Sequence, residues 1–244
     1  VPQRRHWIDR HTVYRGDGAL AILVKGSDIR QDCGCQQSEV REAGKQRLNF
    51  GEEAWYQFAF RLRGNWPPAG GQRWVIGGWK QETDGSAFLA QRFDRGVFHI
   101  TIESGATRVL LASNGGNTDG FLANLRKGLR EGFEYVSDTQ LYQGGSDIRI
   151  ERAPDATLPD PAADWVTMTY RIRGDLNGSG LVEVYANGKF IARATGTIGV
   201  RETAGPTQYF KIGHNRHPMP GTATLFVDDF RRGKSRADVS DLPN

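Results

Sequence analysis

The chain has 244 residues, 38% of them hydrophobic, with a mean hydropathy of −0.55. That length can bury a sizeable core without disulfide staples, and the longest apolar runs are only a few residues, far short of a membrane-spanning helix. Lys and Arg outnumber Asp and Glu by 32 to 28, a charge of +4 that favours an anionic partner, but no lysine-rich block of the kind found in nucleic-acid tails is present.

Val1 opens directly into charged residues, with no leader in view. Cys33 and Cys35 flank one glycine, too close for an ordinary structural disulfide. They read as loop residues first and as a strained bridge second, and no finger spacing follows them. Gln37, Glu39 and Arg41 share one strand face by parity. "AWYQFAFRLR" (54–63) alternates Tyr56, Phe58, Phe60 and Leu62 against Trp55, Gln57, Arg61 and Arg63, the pattern of a half-buried strand. Lys80 shares a face with Gly78.

"FLAQRFDRGVFHITIE" (88–103) predicts a hairpin turning at 94–96. If Phe93 faces Val97, then Gln91 faces His99, and both project from the open side of a sheet with Leu89 and Thr101. The opposite face carries Phe88, Ala90, Phe98, Ile100 and Ile102, interrupted by Arg92. One helix is predicted over 118–132, with Phe121, Leu122, Leu125 and Leu129 on one side, Thr118 or Asp119 as its cap and Gly132 at its end. Segment 153–164 is irregular. "VTMTYRIR" (166–173) alternates like 54–63, and Asn187-Gly188 between two alternating runs (181–196) is the strongest hairpin signal. In "YFKIGHNRH" (209–217), Tyr209, Lys211 and Asn215 share one face. Phe210 and Ile212 go to the core, and His214 follows them unless Gly213 allows a bulge. Arg216 is expected at the rim. A final strand is expected over 223–233. Many antiparallel strands with one short helical excursion predict a single all-β domain over 1–244, a two-sheet β-sandwich of jelly-roll type.

Several of these segments, in this order, resemble the jelly-roll polysaccharide lyases of the heparin lyase I and glucuronan lyase group, which are concanavalin A-like sandwiches. They are "SEV" with Arg41 (38–41), "GEEAWYQFAFRLRGNWPP" (51–68), Trp79 after "RWVIGG", 164–191, "YFKIGHNR" (209–216) and "FVDDFRRG" (226–233). The resemblance implies β-elimination on a uronic-acid-containing, anionic polysaccharide by a secreted or periplasmic monomer, with no required cofactor and no nucleic-acid or membrane partner. The chain departs from the group's pattern at three positions: Gly78-Trp79-Lys80 stands for Gln-Trp-His, Asn215 for a tyrosine and Gln37 for an arginine. Rearranged catalysis and lost activity both remain open.

A lyase needs a donor to neutralise the substrate carboxylate, a base for the C5 proton and an acid for the leaving oxygen. The expected roles are proton transfer by His99 and carboxylate neutralisation by Gln91 or Asn215. Lys211, Arg41 and Lys80 are expected to bind acid groups, with Glu39, His214 and Arg216 beside them. Tyr209 is the tyrosine nearest the position of the missing one; Tyr135 and Tyr142 are more distant candidates. Two rivals stay in view: a non-catalytic glycan-binding jelly roll, and a glycoside hydrolase using Glu82 and Asp84. A structural calcium could sit in "DLNGSG" (175–180) or near Asp228-Asp229.

Overall fold

Two-residue alternation builds both layers of the molecule. In β5 (Ala54–Asn65), Tyr56, Phe58 and Phe60 lie directly opposite Tyr170, Met168 and Val166 of the antiparallel β11 (Val166–Arg173). All of these side chains are buried, as is Leu62. Full burial of such a side chain contributes roughly 1.5–3 kcal/mol of transfer free energy, which is why the parity is so strongly enforced.

The structure is a computed structural model that describes residues 5–66, 73–82, 85–105, 107–114, 146–200 and 205–240. One sheet has eight strands, in the order β1 (His6–Asp9), β2 (Ala19–Lys25), β15 (Thr222–Gly233), β5, β11, β12 (Asp175–Ala186), β13 (Lys189–Ile198) and β10 (Arg149–Arg152). The other has seven: β3 (Gln36–Arg41), β14 (Thr207–Arg216), β6 (Trp74–Gln81), β7 (Leu89–Arg92), β8 (His99–Ser104) and β9 (Thr107–Ser113), with β4 (Leu48–Asn49) also pairing β14. Every strand pairing is antiparallel. This is the all-β, two-sheet sandwich. Aromatic rings close the interior: Trp79 lies 4.7 Å from Phe210 on its own sheet and 4.6 Å from Tyr170 on the facing one.

Among the described residues, helix is confined to the 3-10 turns Gly44–Gln46 and Asp94–Gly96. The helix predicted over 118–132 lies outside the described residues, as do Tyr135 and Tyr142. No described helix is long and apolar enough to cross a membrane. Asn187 and Gly188 both have positive φ, 48° and 77°, and join β12 to β13 through a two-residue turn, as a type I′ hairpin requires. Cys33 and Cys35 are bonded to each other just ahead of β3, where the sequence favoured unlinked loop residues.

The β7–β8 hairpin differs from expectation by one residue. Gln91 pairs with Ile100, and Arg92 pairs with His99. The cause lies in the connection. The Phe93 amide donates to Trp74 O on β6 rather than across the turn, and Asp94–Gly96 forms a 3-10 turn closed by the Val97 amide on Asp94 O. Phe93 packs edge-on against Trp66 and Trp74, and Phe98 against Phe60. With both phenylalanines buried, β7 turns over: Leu89 and Gln91 face inward, Ala90 and Arg92 outward. A slip of one residue reverses every side chain of a strand.

Candidate active site

The outer face of the seven-stranded sheet carries two cavities that adjoin at Lys80 and Lys211. One, of about 500 Å³, is lined by Arg73, Val75, Lys80, Ala90, Arg92, Arg108, Lys211 and Asn215, with residues 85–87 at one wall. The other, of about 550 Å³, is lined by Arg5, His6, Arg30, Gln37, Ser38, Glu39, Val40, Arg41, Lys80, Tyr209 and Lys211. Glu39 is the sole carboxylate among the described residues of the two linings, so together they form a strongly cationic groove.

Strand order explains the convergence. β14 lies between β3 and β6. Lys211 is opposite Arg41 on one side and Gly78 on the other, and Tyr209 is opposite Lys80. Gly78 contributes no side chain to the floor beside Lys211. Lys211 Nζ contacts both oxygens of Glu39, at 2.9 and 3.1 Å, and the Gln37 amide also donates to Glu39. Asn215 Oδ1 accepts from Arg73 Nη2 at 2.7 Å, which leaves its amide group as a donor. The Tyr209 ring lies 4.7 Å from the Arg47 guanidinium and 5.9 Å from that of Arg41. Directly opposed outward residues have Cβ atoms about 4.5–5.5 Å apart, so Lys80 and Tyr209 form one cluster.

Four expected site residues lie elsewhere. Gln91 faces the core: a Cβ on Gly77 would sit 3.3 Å from its Oε1 and 3.6 Å from Ile212 Cγ1. Both of its amide atoms are buried without a hydrogen-bond partner among the described residues. His99 is on the groove side of the sheet, opposite Arg92, but is completely enclosed. Its Nδ1–H donates to Val97 O at 2.9 Å, and Nε2 stands 3.5 Å from Asp94 Oδ2. Burial pushes its pKa down to about 3, with the Arg92 and Arg108 charges adding to the effect, so it is neutral, and it lines neither cavity. The expected Gln91–His99 pair therefore does not exist: the two are on opposite faces.

Next to Lys211, β14 bulges against β6, and Gly213 has a φ of 138°. Even so, His214 stays in the core. Its Nδ1 accepts from Trp74 Nε1 at 3.1 Å and its Nε2 donates to Ile22 O at 3.0 Å, while burial brings its pKa to about 3. Arg216 is not at the rim. It is fully buried, donates to Gln36 Oε1 and Gly221 O, and lies 5.0 Å from the Trp74 ring; burial lowers its pKa to about 10.

Comparison with known proteins identifies the molecule's kinship. The family model described as polysaccharide lyase matches residues 4–231. The chain belongs to the polysaccharide lyase family. No curated protein sequence matches it. Among solved structures it is similar to an endo-β-1,4-glucuronan lyase from the fungus Trichoderma reesei, with TM-score 0.62 and 15% identity, covering 96% of this chain and 88% of that one. It is also similar to a family 7 alginate lyase in complex with substrate, with TM-score 0.51 and 14% identity over 100% of this chain and 85% of that one. At these identities the likeness speaks for the fold.

The groove presents several cationic side chains, and Lys80 and Tyr209 in it carry an amine and a phenol, groups chemically able to move protons. Sequence reasoning missed Arg73, Arg92 and Arg108. The one available signal was Arg92 interrupting an apparent core face, a warning that the face had been assigned the wrong way round. Of the hydrolase pair, Glu82 is tied to Arg47 and Thr207, and Asp84 lies outside the described residues. Asp175 accepts from the Asn177 and Ser179 amides, Asp228 from those of Tyr14 and Arg15, and Asp229 pairs with Arg231. No group of three acidic, histidine or cysteine side chains suited to a metal occurs among the described residues.

Proposed function

We propose that the chain cleaves a uronic-acid-containing, anionic polysaccharide by β-elimination in the groove of the seven-stranded sheet. The observation that carries this reading is the run of Arg41, Lys211, Lys80, Arg73, Arg92 and Arg108 along two adjoining cavities with Glu39 as their only carboxylate among the described lining residues. A hydrolase would need two opposed carboxylates; a groove of cations instead suits a reaction in which neutralising the substrate carboxylate makes C5–H acidic. The solved relatives named for glucuronan and alginate lyases act on polymers of this class.

In this reading Asn215 and Lys211 hold the carboxylate of the reacting uronate. Lys80 and Tyr209 are opposite each other in register: one takes the C5 proton, the C4=C5 double bond forms as the bond from C4 to the leaving oxygen breaks, and the other gives its proton to that oxygen. The proton-transfer role passes from the enclosed His99 to groups that reach the groove. A polymeric substrate also implies secretion or a periplasmic location, and the Cys33–Cys35 bridge is in keeping with an oxidising compartment.

The test is incubation with glucuronan, alginate, heparin and hyaluronan, following the ultraviolet absorbance of the unsaturated uronide. New absorbance with chain shortening is expected from at least one polymer. Reducing ends released without unsaturation would replace the lyase reading with hydrolysis, and retention on a polymer column without any product would replace it with simple binding.

A further inference from the structure

Among the described residues, Arg92 carries a hydrogen-bonding capacity that is not used. The residue is 2% exposed and lines the 500 Å³ cavity. Its Nε donates to Thr101 Oγ1 at 3.0 Å, and its Nη2 stands 4.0 Å from Glu103 Oε1. Its Nη1 is buried with no hydrogen-bond partner among the described residues. Glu103 is held more closely by Arg108, whose Nε donates to that same oxygen at 2.7 Å. Glu103 thus faces both buried guanidinium groups. His99, opposite Arg92, is neutral and adds no counter-charge. Asp94 directs one oxygen to the Trp74 amide and the other toward His99.

A buried guanidinium N–H without an acceptor is costly, and its planar fork matches a carboxylate. The cavity wall beside it carries Arg108, Arg73 and Lys80 and no carboxylate among its described residues. We propose that Arg92, with Arg108, forms a second acid-group subsite. It takes the carboxylate of the uronate next to the one that reacts at Lys80 and Tyr209. This rests on the lyase reading above and deepens it: the substrate is a polymer in which uronates adjoin, rather than one in which they alternate with neutral sugars.

Calorimetry on the full chain tests this with two probes, a glucuronan hexasaccharide of contiguous uronates and a hyaluronan hexasaccharide of alternating ones. The wild type is expected to bind the first at least about tenfold more tightly. Arg92→Gln should remove most of that preference. Lys189→Gln, the same charge change at an exposed position on the other sheet, should keep it. An unchanged preference in Arg92→Gln, or none in the wild type, overturns the subsite. Should Arg92→Gln fail to melt cooperatively, Arg92→Lys, which keeps the charge but loses the fork, takes its place: a weakened preference supports the subsite and an intact one overturns it. If the wild type forms no unsaturated product from any polymer, the lyase reading fails, while the binding preference still judges the subsite.

Discussion

Strand β14 and the β7–β8 hairpin carry residues of the same kinds and treat them differently. Along β14, Phe210, Ile212, His214 and Arg216 are turned inward, while Lys211 and Asn215 line the groove, as simple alternation from "YFKIG" suggests. In the hairpin the same rule places β8 properly and reverses β7, because the connection is one residue out of the assumed register. The difference teaches where alternation can be trusted. β14 is a central strand paired on both sides, with Phe210 and Ile212 on one parity and Lys211 and Asn215 on the other. β7 is four residues long, and Leu89 and Gln91 compete with Ala90 and Arg92 on nearly equal terms. For so short a strand, the turn and the two flanking phenylalanines decide.

Three experiments would break or sharpen that contrast. The largest expected effect is at the strand beside β14. Lys80→Met should lower turnover by at least about a hundredfold, the usual scale for a lost proton-transfer group, with the melting temperature little changed. Turnover close to wild type would return the chemistry to the hairpin.

The second compares the two buried histidines, His214 on β14 and His99 on the hairpin, each with a pKa near 3 against an ordinary value of 6.5. The unfolded chain binds protons at these sites below about pH 6.5, whereas the folded chain does so only near pH 3. Stability is therefore full above pH 6.5 and is lost as pH falls toward 3, by up to about 1.4 kcal/mol per pH unit for each histidine. Urea unfolding between pH 7 and pH 4 should show this loss, with a shallower slope in His214→Gln and in His99→Gln. Equal slopes in all three proteins would mean that neither histidine is held neutral.

The smallest effect is the most telling about register. Gln91 buries an amide with no partner, so Gln91→Leu should raise stability by about 1–2 kcal/mol and leave turnover unaltered. Loss of activity in a well-folded Gln91→Leu protein would restore the register in which Gln91 faces the groove.

Much of the molecule was legible from residues alone. Alternation marks the core parity of β5, β11 and β14, and the Asn187-Gly188 turn is a local property of two residues that accept positive φ. These features depend on a strand's own sequence and on the strong preference of Phe, Tyr and Ile for burial. The groove is a different matter. Arg92 and Arg108 come from β7 and β9 and Arg73 directly precedes β6, and their grouping with Lys80, Lys211 and Asn215 depends on strand order and on a one-residue register. The sequence by itself determined an all-β sandwich and a face of β14 that carries Lys211 and Asn215. Only the tertiary structure decided that Arg92 looks outward, that Gln91 looks inward, and that His99 is sealed. Register is set by how a turn packs against neighbouring strands, and that information is not contained in the strand being read.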